Sequence, residues 1–139
     1  MTKFSRDYYI DLIEDSYFGN VTRADVPAAC SCFMDSSEVV IYHGDNPVRK
    51  FYKNPSSNQD SLEVFYNHLV GNYNALFEDF VHTIDLECER AASNFIVTLK
   101  PKPNSLYLNS GTLTLNNSNF FRFKNGRINF MIIIPVMKW

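Results

Sequence analysis

Apolar and polar positions alternate most regularly in the last third of the chain, where Leu106 to Trp139 reads as a strand, a tight turn and a second strand. Leu113, Leu115, Asn117, Asn119, Phe121 and Phe123 fall on one face, and Thr112, Thr114, Asn116, Ser118, Phe120 and Arg122 on the other. Asn125-Gly126 follows, a dipeptide that tolerates the positive φ required at both centres of a two-residue hairpin turn. The first face is apolar apart from two amides. A buried amide without a partner costs about 1–3 kcal/mol. Asn117 and Asn119 therefore either bond a helix end, a loop or a trapped water, or point into a cavity towards a ligand.

Upstream, the periodicity is helical. Phe4, Tyr8 and Leu12 are spaced along one helix face, and Gly19-Asn20 marks the expected end of a helix from Phe4 to Phe18. Thr22 or Asp25 caps a second helix, with Pro27 in its first turn, predicted to run to about Phe33. Glu38 to His43 reads as a short strand stopped by Gly44. Residues 44–60, rich in Gly, Asn, Pro and Ser, read as a long loop, and loops of that length are often lids. Asp60 or Ser61 caps a third helix to about Val70, with Leu62, Phe65, Tyr66 and Leu69 on one side. Phe77 to Glu89 is predicted as a strand with Phe80, His82 and Ile84 on its apolar face, Ala91 to Asn94 as a turn, and Phe95 to Lys100 as the next strand. Helices followed by a run of strands predict an α+β domain over residues 1–139: one curved, mostly antiparallel sheet wrapped around three helices.

Composition narrows the function. Twelve Phe and eight Tyr in 139 residues suggest a thick core or an aromatic-lined pocket. A net charge of −2 without a basic stripe argues against nucleic acid as a partner. Three cysteines, an odd count with no metal or redox spacing, and no leader pattern imply a reducing cytoplasm, with all three thiols packed as small hydrophobes. Met131 to Met137 is too short to span a bilayer and contains Pro135, so no membrane partner is expected. No phosphate-binding glycine loop exists, and no metal or organic cofactor is expected.

The titratable candidates are few. His43 stands at a strand end beside the long loop, a common catalytic position and a common turn position alike. Asp45, two residues on, either orients it or starts the turn. His82 on an apolar strand face is a core residue or a ligand contact. His68 reads as surface. Tyr17 either donates its hydroxyl to a ligand or packs with its tip in water. Phe33 and Phe121 are candidate apolar contacts for a ligand, beside Asn117 and His82.

The run from Asp25 through Pro27 to Phe33, the strand Val39-Val-Ile-Tyr-His43-Gly44 and the hairpin Asn119-Phe-Phe-Arg-Phe-Lys-Asn-Gly-Arg-Ile128 together resemble the nuclear-transport-factor-2-like superfamily, which includes SnoaL-like polyketide cyclases, ketosteroid isomerases and scytalone dehydratases. The resemblance implies a cystatin-like α+β cone with an internal pocket for an apolar small molecule, and a homodimer through the outer face of the sheet. Counting back from the Arg-Phe pair, it places Asn119 where the isomerases hold a substrate oxyanion with Asp. Tyr17, eight residues before Asp25, falls at the family's helix-one tyrosine, the other oxyanion donor. The isomerase base falls within Ile41-Tyr42-His43, where there is no carboxylate, and His43 stands in for it. The implied chemistry is proton abstraction next to a carbonyl by an isomerase, cyclase or dehydratase; the alternative is a non-catalytic binding or interaction module.

Overall fold

The computed structural model describes residues 4–42 and 47–137. Ser5 opens the first helix, its Oγ accepting from the Tyr8 N–H at 3.0 Å. The helix runs as α1 (Arg6–Asp11), widens into a π-helical stretch (Leu12–Gly19) and closes as α2 (Asn20–Thr22). In a π-helix, backbone bonds join residues five apart. The buried side chains follow that spacing, Leu12 with Tyr17 and Ile13 with Phe18. Gly19 does not end the helix as its sequence position suggests. It lets Arg23 fold back, because a Cβ there would lie 3.0 Å from the guanidinium that bonds Asn20 Oδ1 and the Asp15 carbonyl.

Asp25 then caps α3 (Val26–Cys30), with its carboxylate accepting from Ala28 N–H at 3.1 Å. The helix stops three residues earlier than the sequence predicts. Ile128 N–H donates to the Cys32 carbonyl at 2.8 Å and draws Phe33 into the sheet, where it opens β1 (Phe33–Ile41). The 44–60 stretch is not a bare loop. It contains β2 (Arg49–Tyr52), antiparallel to β1, and β3 (Asp60–Ser61). Ser61 caps α4 (Leu62–Asn72), accepting from Val64 N–H.

Four long strands follow: β4 (Tyr73–Asp85), β5 (Arg90–Pro101), β6 (Leu113–Lys124) and β7 (Arg127–Met137). The sheet order is β3-β2-β1-β7-β6-β5-β4, with parallel pairing at β1/β7 and β2/β3 and antiparallel pairing elsewhere. This is the curved α+β cone expected, with the helices on its concave side. A bulge around Asp79, at φ 57°, shifts the β4 register, so Ala75 and Phe77 turn inward before it, and Phe80, His82 and Ile84 after it. The Ala91–Asn94 turn expected from sequence is strand. Ala91 pairs with Phe121 and Ser93 with Asn119, and the actual turn lies ahead of Arg90, with Glu89 at φ 52°. The two alanines here stand opposite Phe121 and Phe120 of β6.

The hairpin turns at Asn125 (φ 52°) and Gly126 (φ 73°), as the dipeptide predicts. Gly126 has a second reason to lack a side chain. A Cβ would meet the Phe4 ring at 2.5 Å, and Tyr8 Oη donates to the Gly126 carbonyl at 2.6 Å, so the first helix clamps the turn.

Among the described residues, no helix is long and apolar enough to cross a membrane. The thiols differ from one another. Cys32 is buried, Cys30 half-buried and Cys88 exposed in the turn before β5, so only the first packs fully as a small hydrophobe. Burial pushes the Cys32 thiol up to about 11.

Candidate functional site

Between the first helix, α4 and the concave sheet lies a cavity of about 330 Å³. Small-molecule sites commonly start at about this size. Phe18, Phe77, Val97, Leu115 and Ile133 supply apolar wall, and Ile41, near the last described residue of the strand leading to His43, joins them. His43 and Asp45 themselves lie outside the described residues.

The polar groups of the wall are concentrated and buried. The π-helical stretch presents Tyr17, and α4 presents Tyr66. Each is 2% exposed, and their hydroxyls hydrogen-bond to each other. Loss of water raises both phenols well above the ordinary value of 10.0, so both are neutral O–H groups at neutral pH. One hydrogen bond joins two hydroxyls, and it uses one proton. The other O–H has no acceptor among the described residues.

Asn119 is 1% exposed. Its Nδ2 lies 3.6 Å from Met131 Sδ, a weak acceptor, and among the described residues its Oδ1 has no partner and the Oδ1 of Asn117 has none either. Neither amide oxygen bonds a helix end or a loop of the described chain, and both residues line the cavity. The strand register explains their placement. The inward-facing set of β6 passes directly from Leu115 through both amides to Phe121, opposite Phe95 and Ser93 of β5.

The remaining candidates lie elsewhere. His82 does not line the cavity. Its Nε2 is 2.6 Å from Glu14 Oε2 on the π-helical stretch and its Nδ1 2.7 Å from Ser93 Oγ on β5. With Nε2–H donating to the carboxylate, Nδ1 accepts the Ser93 proton. The order acid, imidazole, hydroxyl matches a nucleophile triad. However, Ser93 is 2% exposed and does not line the cavity, so the set serves as a strap from helix to sheet. Phe33 is fully buried, edge-on to the Tyr17 ring at 5.4 Å, and backs the cavity without reaching it. Phe121 stacks on Phe123 deeper in the core. The β4 bulge sets which side chains around His82 turn inward, the early end of α3 puts Phe33 in β1, and Phe121 lies beyond both amides along β6.

Sequence reasoning overlooked Tyr66, which on an apolar helix face looks like core. The surface position read for His68 agrees with the structure, where the residue is exposed. His68 is at the cavity rim, its Nε2 2.8 Å from Tyr107 Oη, and the partner comes from a turn 39 positions downstream. Arg49, also on the rim, comes from a strand that the sequence presents as loop.

No protein-family model and no curated protein sequence matches the chain. Solved structures do. A protein of unknown function with cystatin-like fold from Methylobium petroleophilum aligns over 99% of this chain and 82% of its own at 16% identity, TM-score 0.71. A candidate polyketide cyclase from Xanthomonas campestris aligns over 93% and 90% at 17% identity, TM-score 0.70. An epoxide hydrolase/cyclase-like enzyme of pyran ring formation in the polyether salinomycin aligns over 96% and 94% at 18% identity, TM-score 0.71. At these identities the likeness is one of fold. The architecture is a cystatin-like α+β cone, the fold that the resemblance implied.

Proposed function

We propose that the cavity binds an apolar small molecule and that the protein acts on it as an isomerase, cyclase or dehydratase by removing a proton next to a carbonyl. In this reading the carbonyl oxygen sits at the deep end. The free phenol proton of the Tyr17–Tyr66 pair and the Asn119 carboxamide stabilise the enolate that forms, and His43 takes the proton. The observation that carries it is a spare phenol proton on the buried Tyr17–Tyr66 pair and an Asn119 amide N–H held only by the weak acceptor Met131 Sδ, both in the wall of a mostly apolar cavity. Unmatched polar groups in a core are costly, and a ligand that completes them supplies the reason to keep them. The solved neighbours described as cyclases fit such chemistry.

The test uses 2-tetralone, an apolar bicyclic ketone, in D2O. Exchange of its α-protons is followed by proton NMR with and without protein. The wild type is expected to accelerate exchange. His43→Ala is expected to lower the accelerated rate by about 10²-fold or more, the usual scale of general-base catalysis. Tyr17→Phe is expected to lower it by about 10²-fold, the scale of losing one oxyanion donor. A wild-type rate equal to that of buffer, or a His43→Ala rate equal to that of wild type, rejects this mechanism.

A second reading concerns the convex face and is supported by Phe120. This residue is 44% exposed on an outer-face row formed with Ala92 and Ile132, beside a recess of about 430 Å³. Such a patch favours a second copy of the chain as its cover, giving a homodimer through the sheet. That assembly is compatible with catalysis and with a purely binding role.

A further inference from the structure

Granting the reading of the cavity as a small-molecule site, its two ends ask for different groups. The deep end is neutral: phenols and carboxamides. The mouth carries a cation. Arg49 on β2 lies on the rim with its guanidinium over the Phe51 ring, 4.9 Å from the centroid. Stacking occupies the face of the guanidinium and leaves its N–H edge free. Among the described residues that edge meets no carboxylate, whereas Arg23 pairs with Asp15, Lys50 with Glu38 and Lys53 with Asp35.

Among the described residues, no acidic side chain is paired with Arg49. The described residues of the cavity wall include no Asp or Glu. The C-terminal end of α4, which borders the mouth, would present carbonyls carrying partial negative charge. Those carbonyls are already engaged: Lys102 Nζ donates to Val70 O at 2.5 Å, and Asn72 Nδ2 donates to His68 O at 2.8 Å. The imidazole of His68 is turned to Tyr107. Among the described residues, an anion at the mouth therefore meets one unspent fork of donors and no opposing charge, and a planar carboxylate matches that fork best. Between mouth and deep end the wall is aliphatic and aromatic.

We infer that the ligand is an apolar carboxylic acid, bound with its carboxylate at the mouth on Arg49 and its other oxygen function inward against the Tyr17–Tyr66 pair and Asn119. This inference rests on the proposed binding role of the cavity and adds the charge and polarity of the molecule.

The experiment is isothermal titration of the full chain with 6-hydroxy-2-naphthoate and with 6-hydroxy-2-naphthamide, a neutral analogue of nearly the same shape. The acid is expected to bind about tenfold tighter than the amide. Arg49→Gln is expected to bring the two within twofold of each other by weakening the acid, while the amide keeps its affinity. Arg49→Lys is expected to retain part of the preference. If the amide binds as well as the acid, or if Arg49→Gln leaves the preference intact, the assignment of an acid is wrong and the cavity is still a small-molecule site. If neither compound binds, both the acid and the reading of the cavity on which it rests are overturned. The comparison of the two compounds on the wild type decides the question even if a variant fails to fold.

Discussion

The hydroxyls of Tyr17 and Tyr66 meet inside the cone, one carried by a π-helical turn and the other by a helix that begins 45 residues later in the chain. Each phenol is the other's hydrogen-bond partner among the described residues. Tyr66→Phe strands the Tyr17 hydroxyl and should cost about 1–3 kcal/mol in urea denaturation. The double variant Tyr17→Phe/Tyr66→Phe should cost less than the sum of the two single ones, since no polar group remains to be stranded. Strict additivity would show that the two hydroxyls do not depend on each other.

The same pair sets a pH dependence. Both phenols are raised above 10.0 by burial. A raised phenol keeps its proton in the folded chain after the unfolded chain has lost it. Its stabilising effect is then complete below the unfolded value and is lost as pH climbs above about 10. Unfolding free energy should fall along that alkaline limb, and the double phenylalanine variant should flatten it.

Asn119 is a candidate for a trade between stability and binding. Its Oδ1 is unpartnered, and Met131 Sδ is a poor substitute for a true acceptor at its Nδ2. Asn119→Leu removes an unmatched amide of similar volume and should raise the unfolding free energy of the empty protein by about 1 kcal/mol. The same change should weaken 6-hydroxy-2-naphthamide by about tenfold or more. A destabilised variant would mean that the amide has a partner in solution.

His82 ties Glu14 on the first helix to Ser93 on β5 through a side chain 5% exposed. His82→Leu fills most of the space and leaves the Ser93 hydroxyl buried without a partner, so a loss of about 1–3 kcal/mol is expected. Adding Ser93→Ala should recover part of it. Amide exchange should speed up along the π-helical stretch, because the strap is its polar tie to β4 and β5. Unchanged exchange there would sink the idea that this set holds Tyr17 in place.

Phe120 tests the convex face. Light scattering of the wild type at micromolar concentration should give the mass of a dimer, and Phe120→Glu should give that of a monomer with unchanged circular dichroism. A wild-type monomer would leave the exposed ring as an isolated surface hydrophobe.

Read as a string, the chain settles what depends on neighbours two to four positions apart. Alternation along Leu113 to Phe123 assigned the inner and outer faces of β6. Asn125-Gly126 placed the turn, Thr22 or Asp25 and Asp60 or Ser61 bracketed two helix starts, and the order of helices and strands implied one curved antiparallel sheet packed on helices. These rest on local sterics and on the side-chain period of helix and strand, which any stretch of sequence carries within itself. What only the tertiary structure decided depends on partners far away along the chain. The π-helical widening came from packing Leu12 and Tyr17 on the same core, β2 formed from an unpromising Arg-Lys-Phe-Tyr because β1 paired with it, and the Ala91–Asn94 stretch became strand because Phe121 and Asn119 lay opposite. The site follows the same division. Periodicity put Asn117 and Asn119 on the inner wall, but Tyr66, Arg49 and His68 joined it only when sheet curvature and helix packing brought separate elements around one hollow. Closure of that hollow is a sum of long-range contacts, and no local pattern encodes it.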